Sequence, residues 1–221
     1  KSYGAWYHRQ WILSRFEHDT ADELELCQQF LRADERNFHC WNYRRWVVEG
    51  CCNDEPTKVQ QEMEFSTEKI NQNFSNYSAF HHRSYYIKRS DRPVQELLRQ
   101  EFEIVQNALF TEPDDQSAWW YYSFLISWAT QLQSADTRDW LKALTAEQIE
   151  LIQSLLEVEE RNKWARVALV SLFELNIQLQ QHGENTTREE MIEKCKTLLG
   201  ELCQIDPAHQ VRYRYLLTKY Q

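Results

Sequence analysis

Apolar residues recur every three or four positions in several stretches of the chain, as at Leu24, Cys27 and Leu31. This spacing is typical of an amphipathic helix with one buried face. The same periodicity predicts helices over five ranges: 23–34, 63–73, 98–110, 147–159 and 191–203.

A second, aromatic pattern alternates with these helices. Five segments align on one large residue each, and the anchors are Trp6, Trp41, Phe80, Trp119 and Trp164. The anchors are separated by 35, 39, 39 and 45 residues. A repeat of this length is typical of stacked helical hairpins. The sequence therefore predicts an all-α fold, a right-handed superhelical crescent of stacked antiparallel αα-hairpins (an α-solenoid).

Polar residues hold constant positions around the anchors. The residues four positions before the first four anchors are all good helix N-caps: Ser2, Asn37, Asn76 and Asp115. The residues three positions after the first three anchors are Arg9, Arg44 and Arg83. Each arginine either binds carbonyls or pairs with an acid of the previous helix, such as Asp34 or Glu112, or it holds an anionic ligand.

The repeats indicate one domain over residues 1–221, with about five hairpins and a last capping helix over 208–220. The connection over 130–146 is the longest that we expect to be irregular, and it coincides with the widest anchor spacing. The sequence starts at Lys1, inside a repeat and without a methionine. We therefore expect further repeats on the N-terminal side.

Composition narrows the classes of function. Only 4 Gly and 4 Pro occur among 221 residues, which argues against a fold of many short strands. The net charge of −9 disfavours nucleic-acid binding. No apolar run has the length of a membrane span. The six cysteines form no Cys-x-x-Cys pair, which favours reduced thiols and a cytoplasmic protein, and no metal-ligand spacing occurs.

The repeat segments resemble a known family. KSYGAWYHR, ERNFHCWNYRRW and NYSAFHHRS together are similar to the alpha-subunit repeat of protein prenyltransferases. The resemblance implies a heterodimer with a beta subunit, an α-α barrel that carries the catalytic zinc and most of the lipid pocket. It also implies that geranylgeranyl diphosphate binds at the subunit interface and that this chain holds no cofactor itself.

Gly4 bears on the choice of branch within this family. The members that act on CaaX peptides have a glutamine at this position, and it meets the carboxylate of the peptide. Gly4 has no such side chain. The alternative is that this glycine only eases a turn at the start of the helix. The resemblance thus favours the branch that prenylates Rab GTPases presented by an escort protein. An acidic surface could recruit this partner or could simply be solvated: Glu159, Glu160, Glu184, Glu189, Glu190 and Glu193.

The resemblance also implies which residues lie at the reaction. Lys1 and Tyr3 hold the positions of a lysine and a tyrosine that lie near the lipid diphosphate. An ammonium and a phenol hydroxyl there would stabilise the negative charge that grows on the leaving diphosphate. His39, in the next repeat, is expected to reach the mouth of the site, whereas Asn37 is expected to be the helix N-cap.

Two other functions fit the same pattern. One is the alpha subunit of a CaaX-type farnesyl- or geranylgeranyltransferase. The other is a non-catalytic interaction scaffold of the tetratricopeptide kind, although that repeat has a period of 34 residues and a glycine that is missing here. In the scaffold reading, Lys1 is a solvated surface lysine.

Overall fold

A computed structural model describes residues 2–16, 19–51, 56–180 and 185–220. Lys1 and Glu184 lie outside these ranges, so the predicted roles of these two residues have no geometry to compare. The described residues contain α-helices and short 3₁₀ turns and no β-strand. The predicted all-α repeat architecture is confirmed, whereas the right-handed crescent stays a prediction.

Eleven α-helices cover most of the described residues. Their bounds are α1 Tyr3–Leu13, α2 Thr20–Ala33, α3 Phe38–Cys51, α4 Pro56–Gln72, α5 Tyr77–Ile87, α6 Val94–Thr111, α7 Gln116–Gln131, α8 Arg138–Val158, α9 Lys163–Leu179, α10 Asn185–Ile205 and α11 Gln210–Leu217. The five aromatic anchors lie on the odd-numbered helices α1 to α9 (the A helices). The even-numbered helices (the B helices) carry the amphipathic stripes.

The chain divides into two compact units, with the boundary between Pro93 and Val94. The first unit contains α1 to α5 and packs α2 on α3 and α4 on α5. Its core includes Leu31, Trp41, Ile70 and Phe80, which are all nearly inaccessible to solvent. The apolar stripes of the B helices therefore meet the aromatic anchors, as the repeat pattern requires.

The second unit contains α6 to α11 and packs α6 on α7, α8 on α9 and α9 on α10. Trp119 and Leu125 of α7 and Leu169 and Phe173 of α9 are buried there. The final segment, predicted as one helix over 208–220, consists of α11 with a 3₁₀ turn at each end, Pro207–His209 and Thr218–Tyr220. The prediction of a single domain over 1–221 stays a prediction.

The polar residues predicted as N-caps begin the A helices. Asn76 accepts a hydrogen bond from the Ala79 backbone amide at 3.1 Å, and Asp115 accepts one from the Ser117 amide at 2.7 Å. Asn37 has the same role, with 3.4 Å from its Oδ1 to the Cys40 amide nitrogen. Ser2 also stands at an N-cap, but its side chain makes no capping hydrogen bond.

The B helices begin earlier than the periodicity indicated, and this corrects one prediction. α8 starts at Arg138 and α7 continues to Gln131, so the expected irregular connection over 130–146 is wrong. The connection is the short segment 132–137. Thr137 stands at the N-cap position of α8, and its hydroxyl donates to the Leu132 carbonyl oxygen at 2.6 Å. This polar turn replaces the predicted loop.

Candidate functional site at the start of the A helices

Tyr3 and His39, which were predicted as site residues in two consecutive repeats, are in contact. Tyr3 begins α1, and His39 is the second residue of α3. Their ring centroids are 4.0 Å apart with the planes at 78°, an edge-on contact. Phe38 lies against His39, with the ring centroids 3.9 Å apart and the planes tilted by 36°. The N-terminal ends of two consecutive A helices thus form one aromatic cluster, Tyr3–Phe38–His39.

This cluster lies at the surface. The Tyr3 side chain is 72% exposed and Phe38 is 50% exposed. Within the described part of the chain, the Tyr3 hydroxyl has no hydrogen-bond partner. A phenol in this position is a donor that an oxyanion could approach, and its ring orientation is restrained by the contact with His39.

Asn37 precedes Phe38 and His39 in the sequence and acts as a helix cap, not as a member of the cluster. Its side chain is buried and caps α3. The backbone of the same turn is closed by the Asn37 amide, which donates to the Asp34 carbonyl oxygen at 3.0 Å. The cap determines where α3 begins, and with it the direction in which Phe38 and His39 leave the helix.

Arg9 connects α1 to the two helices behind it. Its Nε and Nη2 each lie 2.7 Å from one carboxylate oxygen of Glu23 in α2. The Tyr43 hydroxyl of α3 donates to the same carboxylate at 2.6 Å. The hydrogen bond to Glu23 raises the pKa of Arg9, so the pair stays ionised. This bidentate pair restrains α1, and therefore Tyr3, relative to α3.

Arg44 makes the equivalent contact one repeat later and is more deeply buried. Its Nε and Nη2 lie 2.8 and 2.7 Å from the two carboxylate oxygens of Glu62 in α4. His82 of α5 approaches the same carboxylate, with 2.8 Å from Nε2 to Oε2. Burial alone raises the pKa of Glu62, but the hydrogen bonds from His82 and Arg44 lower it to about 2.

Arg83 makes a different set of contacts. It donates through Nη1 to the Met63 carbonyl oxygen at 2.8 Å and to the Thr67 hydroxyl at 2.7 Å, both in α4. Arg83 therefore binds a carbonyl of the previous helix, one of the alternatives that the sequence left open. The acids that pair with Arg9 and Arg44 are not of the predicted kind, because they belong to the following helix and not to the previous one.

Sequence reasoning missed the buried carboxylates, although a signal was present. In three repeats, a buried glutamate contacts the residue twenty positions later: Glu23 with Tyr43, Glu62 with His82, and Glu101 with Tyr121. Each glutamate stands eighteen positions before an aromatic anchor. This constant spacing, in contrast to the variable loops, could have identified the acids.

Two of the aromatic anchors also donate hydrogen bonds to the backbone. The Trp41 indole donates to the Glu35 carbonyl oxygen at 2.8 Å, and the Trp119 indole donates to the Pro113 carbonyl oxygen at 2.7 Å. Each carbonyl also accepts from the cap of the next repeat. The donors are Asn76 Nδ2 on Glu35 at 3.3 Å and Asn162 Nδ2 on Pro113 at 2.6 Å.

These contacts place the fifth repeat in a different register from the one predicted. Asn162 caps α9 by accepting from the Ala165 amide at 2.9 Å, as Asn76 does for α5. The position four residues after this cap is Arg166, whereas Trp164 is only half-buried. Arg166 pairs with Glu201 of α10 at 2.7 Å.

No group of three or more histidine, cysteine, aspartate or glutamate side chains is arranged to hold a metal ion within the described ranges. Four cysteines there are free thiols: Cys27, Cys40, Cys195 and Cys203. None of the helices in the described residues combines the length and the apolar character that crossing a membrane requires.

The repeat geometry agrees with a family comparison. A model of the protein prenyltransferase alpha subunit repeat matches residues 1–16, 20–51, 59–90 and 98–129. The chain belongs to the protein prenyltransferase alpha-subunit family. Three of these matches each cover most of a B helix and of the following A helix, and each contains one buried glutamate and its partner twenty residues later.

Curated relatives agree with this assignment. The chain is 31% identical to the geranylgeranyl transferase type-2 subunit alpha of Saccharomyces cerevisiae, over 100% of this chain and 69% of the relative. It is 33% identical to the protein of the same name from Schizosaccharomyces pombe, over 89% of this chain and 61% of the relative.

The mammalian relatives are more similar over a shorter region. The Bos taurus geranylgeranyl transferase type-2 subunit alpha is 44% identical over 65% of this chain, and the match spans only 25% of that longer protein. A solved structure, Candida albicans protein geranylgeranyltransferase-I complexed with GGPP, superposes with a TM-score of 0.71. It covers all of this chain and 68% of the other at 20% identity, which shows a shared fold.

Proposed function

We propose that this chain is the alpha subunit of a heterodimeric protein geranylgeranyltransferase that modifies C-terminal cysteines of Rab GTPases in the cytoplasm. The observation that carries the proposal is the similarity to type-2 alpha subunits along the whole chain, in the relative from Saccharomyces cerevisiae. The solved structural neighbour contains GGPP, which supports geranylgeranyl diphosphate as the lipid donor.

The partner is a beta subunit that docks on the exposed aromatic residues of the A helices in the first unit. Tyr3, Tyr7, Phe38 and Tyr77 are between 44% and 74% exposed. Exposed aromatic side chains grouped on one set of helices mark an interaction surface more often than a solvated one. A zinc ion held by the beta subunit would lower the pKa of the acceptor thiol, so that the cysteine attacks as a thiolate.

The Tyr3–Phe38–His39 cluster acts on the leaving group. The cysteine sulfur forms a bond to C1 of the lipid while the bond from C1 to the diphosphate oxygen breaks. The electron pair of the broken bond stays on the diphosphate. The Tyr3 hydroxyl donates a hydrogen bond to this oxyanion, and Lys1 adds a positive charge, so both favour the transition state over the bound substrate.

Gly4 supports a Rab substrate over a CaaX peptide. It lies inside α1, and an added Cβ would meet only the Ser2 hydroxyl oxygen at an ordinary 3.8 Å. The backbone therefore accepts other residues at this position, and no turn requires a glycine. A missing side chain here fits acceptors whose C-termini vary, because no single peptide carboxylate has to be bound.

Single-turnover kinetics of the heterodimer test the role of Tyr3. Replacing Tyr3 with phenylalanine should lower the rate of prenyl transfer by about 100-fold, the usual loss for one preorganised donor to an oxyanion. Tyr7→Phe is the comparison for loss of an exposed hydroxyl from the same helix, because Tyr7 lies one turn later in α1, is 74% exposed and keeps its aromatic ring for the docking surface. A rate for Tyr3→Phe equal to that of the unsubstituted heterodimer would remove Tyr3 from the mechanism.

Copurification and substrate choice test the proposal as a whole. We expect a beta subunit to copurify with the chain, and the complex to transfer geranylgeranyl to a Rab bound to its escort protein. Transfer to a CaaX peptide alone would show the CaaX-type enzyme instead. The absence of any zinc-containing partner would favour the interaction scaffold.

A further inference from the structure

A cavity of about 410 Å³ lies in the second unit, between α9, α10 and α11. Buried Val170, Leu199 and Leu202 contribute apolar wall, and the half-buried Trp164 contributes an aromatic face. The volume is within the range of small-molecule sites. None of the residues proposed to act in prenyl transfer lines this cavity. A ligand bound here is therefore independent of the proposed function.

Both acids that line the cavity have a hydrogen-bond donor and a lysine of this chain beside them. Asp206 accepts from the Tyr213 hydroxyl at 2.8 Å and lies 3.0 Å from His209 Nδ1. Lys163 Nζ lies 3.5 Å from the same Asp206 oxygen. Glu174 accepts from the Tyr220 hydroxyl at 2.7 Å. The charge of each carboxylate is therefore opposed by a lysine, Lys163 for Asp206 and Lys219 for Glu174.

Arg212 has the opposite character. It is exposed at the edge of the cavity on α11, and among the described residues it has no hydrogen bond and no ion pair. Lys219 also lines the cavity, but it lies opposite Glu174, with 3.9 Å from its Nζ to Oε1. The cavity thus joins an apolar wall to an uncommitted guanidinium, which is a planar donor suited to a carboxylate.

We propose that this cavity binds one small amphipathic carboxylate, a medium-chain fatty acid, with its chain against Trp164 and Val170 and its carboxylate at Arg212. The apolar wall provides affinity in proportion to the chain length that it buries. Arg212 provides the selectivity for an anion over a neutral or cationic molecule of the same length.

Isothermal titration calorimetry of the full 221-residue chain with hexanoate and octanoate tests the proposal. Affinity should rise about fourfold for each added methylene, which corresponds to ~0.8 kcal/mol per buried CH₂. Octanol and octylamine should bind at least about tenfold more weakly than octanoate, because neither provides a carboxylate to Arg212. Octanol binding as tightly as octanoate would overturn the proposal, as would the absence of saturable binding.

Two substitutions in α11 test whether Arg212 binds the carboxylate of the ligand. Arg212→Gln should weaken octanoate binding by about tenfold and leave octanol binding unchanged, because only the charged contact is lost. Arg214→Gln is the matched control, since Arg214 is exposed on the same helix, as Arg212 is, but does not line the cavity. An equal effect of the two substitutions would show general attraction of anions and would reject the site.

Discussion

At the scale of single residues, the first unit is organised by carboxylates that are buried and multiply bonded. Glu62 is 2% exposed and contacts both Arg44 and His82. Removing one partner of such a pair leaves a buried charge uncompensated, at a cost of about 3–5 kcal/mol. These contacts hold consecutive A helices in one orientation, and the position of the Tyr3–Phe38–His39 cluster depends on that orientation.

His82 makes this network sensitive to acid. Burial lowers the pKa of His82 below 6.5, and this effect outweighs the hydrogen bond to Glu62, which raises it. The neutral ring donates from Nε2 to Glu62, while the buried Nδ1 has no partner among the described residues. The unfolded chain therefore binds a proton near pH 6.5 that the folded chain does not bind, and stability falls as the pH decreases through that value.

We predict that the free energy of unfolding falls as the pH decreases below 6.5 and falls again between pH 4.5 and about 2, where Glu62 binds its proton only in the unfolded chain. Urea denaturation at a series of pH values measures both steps. In His82→Gln the first step should shrink. A variant that keeps the full loss between about pH 6.5 and 5 would assign that step to other groups.

At the scale of helices, Gly200 is a glycine that neither a helix end nor a turn explains. It lies inside α10, and a Cβ built on its backbone would meet no atom within 4 Å. Neither a turn nor close packing requires it. A glycine inside a helix costs about 0.5–1 kcal/mol relative to alanine, because the unfolded chain has more backbone freedom to lose.

Gly200→Ala should therefore stabilise the protein by about 0.5–1 kcal/mol, as measured by urea denaturation at neutral pH. Gly50 is the comparison, because a Cβ added there would also meet no atom within 4 Å, but this glycine stands one residue before the end of α3. Gly50→Ala should have a smaller effect, since helix ends fray. Destabilisation by Gly200→Ala would show that the position has a packing role.

How far the sequence predicted these elements depends on the range of the interaction. The caps Asn37, Asn76 and Asp115 were predictable because a cap bonds to an amide two or three residues away. The pairing of Arg44 with Glu62 was not, because these two residues are eighteen positions apart across a turn whose length differs between repeats, although the spacing from Glu62 to Phe80 marks the acid as a repeat position. Trp164 does not mark the register of the fifth repeat, because it lies two residues after the cap Asn162 and not four.

At the scale of the whole molecule, the repeats differ in how much of each A helix is buried. α1 has no buried side chain, whereas α5 and α7 bury residues along their length. In helical repeat proteins, the stability of each element is approximately its own contribution plus the contacts with its neighbours. α1 is held by the pair Arg9–Glu23 and by the packing of Trp6 on Phe30 and Tyr43.

We predict that hydrogen–deuterium exchange of the isolated chain is fastest in α1 and slow in α5 and α7, because local opening of α1 exposes little apolar surface. Mass spectrometry of peptides from each helix measures this order. Addition of the beta subunit should slow exchange in α1 more than in α7, since Tyr3 and Tyr7 would then be covered. If α1 exchanges as slowly as α7 in the isolated chain, contacts beyond Arg9 and Trp6 stabilise it. If the beta subunit binds without slowing α1, the docking surface lies elsewhere on the chain.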